Sequence, residues 1–199
     1  MLDIGCDLGD MFHWFPDPGW TRHGVEISPS AAKYAAQTHS AQVYSGTIRE
    51  AGFPDTLFDL VTMLDMLYYV DDPSMTIKEV ARILKPGGIC AVEISGQSYQ
   101  LMRSRGLLCW LIEQRWTRLH TDSSYLFWFT PTSLQRLLED SGLRIIEEHV
   151  IDSPTSSVPW RDQLAGSYSA LIRRTSRLSR YWLTWTPKYM LLAERVEKI

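Results

Sequence analysis

The chain has 199 residues, 45% hydrophobic and 22% charged, which excludes a disordered tail or a fibre and is long enough to bury one sizeable core. A formal net charge of -3 removes any global attraction to nucleic acid. Three scattered cysteines, Cys6, Cys90 and Cys109, exclude a disulfide framework and a structural zinc site and suit a reducing cytoplasm. Asp3, Asp7 and Asp10 interrupt what a secretory leader needs, and the apolar stretch from Gly106 to Ile112 is far short of the roughly 20 residues that cross a bilayer.

In chain order, Leu2 and Ile4 are the apolar residues of a short strand, and Gly5 and Gly9 follow at the spacing of a tight strand-to-helix turn. Such a turn leaves backbone N–H groups beside a helix start, which suits a nucleotide or a carboxylate; a plain tight turn has the same pattern. Asp10 to Phe15 predicts a short helix, stopped by Pro16-Asp17-Pro18-Gly19. His23 to Ile27 then reads as a second strand with Glu26 near its tip, followed by a Ser28 cap, Pro29 and a helix from Ala31 to Thr38. A carboxylate at that tip is the usual holder of the ribose hydroxyls of a nucleoside; the alternative is a solvated charge.

Ala41 to Ser45 predicts a third strand and Gly46-Thr47-Ile48 a turn. Leu57 to Leu64 reads as a strand buried on both faces, which brings Asp65 to Val70 to the same carboxyl edge as the glycine turn. Asp72-Pro73-Ser74 starts a helix reaching about Leu84, with Ile77, Val80, Ala81 and Leu84 at helical spacing. Lys85-Pro86-Gly87-Gly88 stops it, and Ile89 to Ile94 is the next buried strand.

Four of these segments, in order, resemble the landmarks of class I S-adenosylmethionine-dependent methyltransferases. Asp3-Ile4-Gly5-Cys6-Asp7-Leu8-Gly9 is similar to the family's acid-x-Gly-x-Gly-x-Gly loop, and Gly24-Val25-Glu26-Ile27-Ser28 to its second-strand acid segment. Phe58-Asp59-Leu60-Val61 with Asp72-Pro73, and Leu84-Lys85-Pro86-Gly87-Gly88, resemble the other two. Later, Phe129 to Leu134 with Thr130 as cap, Ser141-Gly142-Leu143, and a last strand from Lys188 to Val196 extend the likeness.

The resemblance implies an α/β, Rossmann-like, mostly parallel sheet with an antiparallel last strand and helices on both faces. It implies one domain over 1–199: a cofactor-binding half at 1–98, a variable substrate-cap insertion at 99–128 and the rest of the sheet at 129–199. The cofactor it implies is S-adenosyl-L-methionine. Asp3, Gly5, Cys6, Asp7 and Gly9 then belong to the methionine end, Glu26 and Ile27 to the ribose, Thr47 and Ile48 to the adenine, and Leu64, Asp65 and Met66 to the inner wall. His120 is the implied base, with a surface or packing histidine as the alternative. His13, His23, His39 and His149 show no metal-ligand spacing and read as structural, so no metal is expected.

The sequence departs from the family pattern at Asp7, where the loop's middle glycine stands in relatives, and at Tyr68-Tyr69-Val70, where relatives often carry a histidine. It also starts at the first strand, N-terminally short of the family's usual covering helix. The arginines and aromatics between Ser95 and Phe129 point to a segment that selects the acceptor, or else to an amphipathic helix pair over the sheet. Arg161 to Lys188 is basic and aromatic, as suits peripheral contact with an anionic membrane, phosphate groups on a carrier, or a solvated helix face. The expected activity is cytoplasmic methyl transfer to a small-molecule acceptor, at oxygen on a sugar, a lipid-linked intermediate or a natural product. The alternatives are a non-catalytic cofactor-binding or interaction module and, against the Gly5-to-Gly9 step, a nicotinamide-dependent oxidoreductase.

Overall fold

The computed structural model describes residues 1–95, 126–151 and 188–196. Its strands are β1 (Leu2–Ile4), β2 (His23–Glu26), β3 (Gln42–Ser45), β4 (Phe58–Leu64), β5 (Leu84–Ser95), β6 (Leu143–Ile151) and β7 (Lys188–Arg195). They form one seven-stranded sheet in the order β3-β2-β1-β4-β5-β7-β6. Strands β1 to β5 pair in parallel, and β7 runs antiparallel between β5 and β6. The reversal on either side of β1 makes the carboxyl ends of β1, β2 and β4 the edge where open α/β sheets take ligands.

Each helix starts where the sequence offers a cap. In α1 (Pro29–His39) the Ser28 hydroxyl accepts from the Ala31 N–H, and in α2 (Ile48–Ala51) Thr47 and Glu50 form a reciprocal capping box. Asp72 caps α3 (Pro73–Ile83) through the Met75 N–H at 2.9 Å, and Thr130 with Ser133 caps α4 (Pro131–Asp140). Proline stands in the first turn of α1, α3 and α4, where its missing donor costs nothing. A 3-10 turn, Asp10–Trp14, takes the place of the first short helix.

Alternation along β4 divides the core. Val61 and Met63 pack with Ile77 and Val80 of α3 and Leu134 and Leu138 of α4, whereas Leu60 joins a smaller cluster of Met1, Cys6, Phe12, Ala35 and Ala41 on the α1 side. Helices therefore cover both faces.

Two local expectations are corrected. Gly46-Thr47-Ile48 is not only a turn, because the Thr47 capping box starts the short helix α2. Lys85-Pro86-Gly87-Gly88 does not follow a helix as a plain stop: α3 ends at Ile83, and these residues bulge inside β5 between the pairs Phe58↔Leu84 and Leu60↔Ile89. The bulge gathers chain opposite Asp59, which accepts a 2.7 Å hydrogen bond from Lys85 Nζ.

Candidate cofactor site

The loop after β1 is shaped by the protein's own packing. Gly5 and Gly9 adopt φ of 73° and 86°, left-handed values that favour glycine. A Cβ on Gly5 would lie 2.9 Å from Met66 Cβ, and one on Gly9 would lie 2.7 Å from His39 Cδ2. His39, buried at the end of α1, donates from Nε2 to the Leu8 carbonyl at 3.1 Å and so pins the loop. Asp7 also has a left-handed φ of 46° and is solvent-exposed.

Glu26 joins the tip of β2 to this loop. One carboxylate oxygen accepts the Asp7 N–H at 3.0 Å and the other accepts the Ser28 N–H at 2.8 Å. A carboxylate offers about four acceptor positions, so roughly two remain for the paired hydroxyls of a ribose. This donor and acceptor set fits a nucleoside held across the edge.

Below the loop, Asp3 is buried on β1 and accepts a 2.6 Å hydrogen bond from Thr62 on β4. Burial pushes its carboxyl up to about 6, against the opposing pull of the Thr62 hydroxyl, and the Glu26 charge adds to the rise. Burial likewise pushes the Cys6 thiol up to about 12. The Cys6 side chain lies in the core against Phe12, so only its backbone belongs to the loop.

At the end of β4 a second polar group gathers. Asp65, with a left-handed φ of 52°, accepts from the Tyr68 hydroxyl at 2.5 Å and from Ser95 Oγ at 3.2 Å through Oδ1. Its Oδ2 accepts from Lys188 Nζ, which also donates to Glu93 Oε1 at 2.5 Å. Burial works to lower the Lys188 pKa, but its bonds to Asp65 and Glu93 outweigh this and hold it above the usual lysine value. Lys188 is thus a fixed cation rather than a base.

The carboxyl edge accordingly brings Gly5, Asp7, Gly9, Glu26, Asp65 and Met66 together. Ile27 is exposed beyond Glu26, Leu64 is half-buried at the end of β4, Thr47 is occupied as the α2 cap, and the Ile48 side chain lies in the core. His120 lies outside the described residues, as do nearly all of the two aromatic and basic stretches. Sequence reasoning missed Tyr68, Glu93, Ser95 and Lys188 as partners of Asp65. Glu93, an acid inside the apolar run Ile89 to Ile94, was the one local signal. A cavity of about 550 Å³ opens at the opposite, amino edge, lined by Met1, Trp20, His23, Phe58, Asp59 and Lys85, away from this site. Among the described residues no helix is long and apolar enough to cross a membrane.

Residues 1–148 match the family model described as a methyltransferase domain. The chain belongs to this methyltransferase family. It is 32% identical over 164 residues to the ubiquinone biosynthesis O-methyltransferase of Bradyrhizobium sp. (strain ORS 278), covering 77% of this chain and 62% of that protein. It is 27% identical over 157 residues to the protein of the same name from Thiobacillus denitrificans, covering 74% of this chain and 65% of that one. The methyltransferase chain therefore spans less than two thirds of either relative. In structure it is similar to an S-adenosylmethionine-dependent methyltransferase from Mesorhizobium loti, with a TM-score of 0.70 and 16% identity over 98% of this chain and 89% of that one. This likeness is one of fold, the Rossmann-like fold of class I methyltransferases.

Asp7 gives this methyltransferase a testable peculiarity. Opposed carboxylates about 4 Å apart repel by roughly 1 kcal/mol in water-like surroundings, the regime that suits an exposed side chain. Asp7→Gly is expected to tighten S-adenosylmethionine binding about fivefold at low salt and less at high salt. Titration calorimetry at two ionic strengths checks this, and an unchanged affinity refutes it.

Proposed function

We propose that this chain transfers the methyl group of S-adenosylmethionine to a hydroxyl oxygen of a lipid-linked small molecule of quinol type. The observation that carries the reading is Glu26, which bridges the second strand to the first loop and keeps acceptor capacity for a ribose. Bound S-adenosylmethionine supplies an electrophilic methyl on a sulfonium, so alignment is the protein's main task and is worth roughly 7 to 11 kcal/mol of barrier. In this reading Glu26 holds the ribose, Asp3 supplies negative charge near the methionine end, and the Gly5 to Gly9 backbone shapes the cradle. Asp65 already accepts from Tyr68, Ser95 and Lys188, so it is poorly placed to take a proton. Proton removal from the acceptor is therefore assigned to His120.

The acceptor class rests on two supports. The relatives are named as ubiquinone biosynthesis O-methyltransferases. The backbone N–H groups of Leu126 and Phe127 donate to the Tyr68 carbonyl, which sets an exposed apolar group of Tyr69, Leu126 and Phe127 beside the ligand edge. An alkyl-tailed ring would lie against such a surface. Within this proposal, residues 99–128 cap the acceptor and the protein works in the cytoplasm, with peripheral access to a membrane for a lipid-linked substrate.

The test offers methyl-labelled S-adenosylmethionine with a panel of alkylated hydroquinones or catechols, free sugars and amines. Label in an ether of the alkylated phenol is the expected product. Transfer to amines alone, or failure to bind S-adenosylmethionine, overturns the proposal.

A further inference from the structure

The proposed cofactor reading leaves one partly buried ion cluster without a role. Lys188 begins β7, opposite Ser95 of β5, and its ammonium sits between Asp65 and Glu93. Asp65 occupies a left-handed backbone conformation, which costs a non-glycine residue about 1 kcal/mol or more unless its surroundings hold it there. Here they do. The Tyr68 and Ser95 hydroxyls and Lys188 bind its carboxylate, while its own N–H donates to the Glu93 carbonyl at 3.2 Å. The next residue is Met66, whose Cβ stands over Gly5 so closely that glycine alone fits beneath it.

We infer that Lys188 is a positioning residue for the cofactor cradle, acting through Asp65. The lysine holds Asp65 in its left-handed conformation, Asp65 fixes where the chain turns into Met66, and Met66 sets the height of the wall above the Gly5 loop. Lys188 also separates two carboxylates. Without it Asp65 and Glu93 face one another uncompensated, and the simplest relief is for Asp65 to leave its strained conformation and carry Met66 with it. The last strand is thereby coupled to the first loop through one ion pair. The inference rests on the proposed binding of S-adenosylmethionine at this edge.

The test measures S-adenosylhomocysteine affinity by calorimetry in a double-mutant cycle. Lys188→Met is expected to weaken binding at least tenfold. In an Asp65→Gly background, where glycine takes the left-handed conformation without help, the same change is expected to cost less than threefold. Lys188→Gln, which keeps a donor for Asp65, gives an intermediate loss and stands in if Lys188→Met does not fold. A lysine variant that binds within twofold of the parent overturns the inference, and so does an equal loss in both backgrounds, since a general prop for the fold would not depend on residue 65. A parent protein that binds no S-adenosylhomocysteine overturns the cofactor reading itself, a result distinct from either.

Discussion

Glu26→Ala is expected to lower the affinity for S-adenosylhomocysteine at least 100-fold. The carboxylate performs two tasks, and alanine removes both. It ties the Asp7 and Ser28 N–H groups, which fixes the loop after β1 against the tip of β2, and its free acceptor positions are those proposed for the ribose. Hydrogen bonds to a charged group contribute roughly 1.5 to 3 kcal/mol each, so the loss of two ribose bonds alone corresponds to about two orders of magnitude or more. Glu26→Gln keeps one oxygen and is expected to fall between. Calorimetry with Glu147→Ala, an exposed acid on β6, provides the comparison. Binding that survives Glu26→Ala within threefold would remove Glu26 from the site.

Asp3→Asn is expected to change the pH dependence of stability more than any other single substitution at the site. The Asp3 carboxyl ionises near its ordinary value of 3.8 in the unfolded chain and at about 6 when folded. Between about pH 4 and 6 the folded protein retains a proton that the unfolded chain has released, so stability falls as pH rises through that window and levels off above it. A rise of this size corresponds to about 3 kcal/mol. Asparagine cannot ionise and still offers an oxygen to Thr62. The stability of Asp3→Asn relative to the parent should therefore grow by roughly 2 to 3 kcal/mol from pH 4 to pH 8, read from urea unfolding at each pH. Parallel stability curves would show that Asp3 does not titrate there. The same variant is expected to lose at least tenfold in S-adenosylmethionine affinity at pH 8, because the buried negative charge is absent. A residue that lowers stability at neutral pH and raises affinity is what a binding site built into a central strand should contain.

What could be read from the sequence was local. Gly5, Gly9 and Glu26 belong to strand–turn units in which a few neighbouring residues dictate backbone direction, and the caps at Ser28, Asp72 and Thr130 announce helix starts for the same reason. The mostly parallel sheet and its antiparallel last strand followed from the family resemblance rather than from residue patterns; the strand order was not read from the sequence. The Asp65–Lys188 pair was illegible because 123 residues separate its members, and nothing near Lys188 marks it as the partner of an acid on β4. The bulge at Lys85 to Gly88 was misread because proline and glycine serve equally to stop a helix and to swell a strand. Backbone direction in the turn sends the Cys6 side chain into the core beside Phe12, which the glycine spacing alone does not announce. In each miss, a tertiary partner decided what the local pattern left undecided.

The position of β7 has a consequence for how the protein comes into being. Because residues 188–195 lie between β5 and β6, a nascent chain that has emerged only as far as β6 presents two facing rows of unmatched backbone groups. Such a half-finished sheet invites association with other chains until the wedge slots home. A chain cut short before Lys188 is accordingly expected to aggregate rather than give a shortened enzyme.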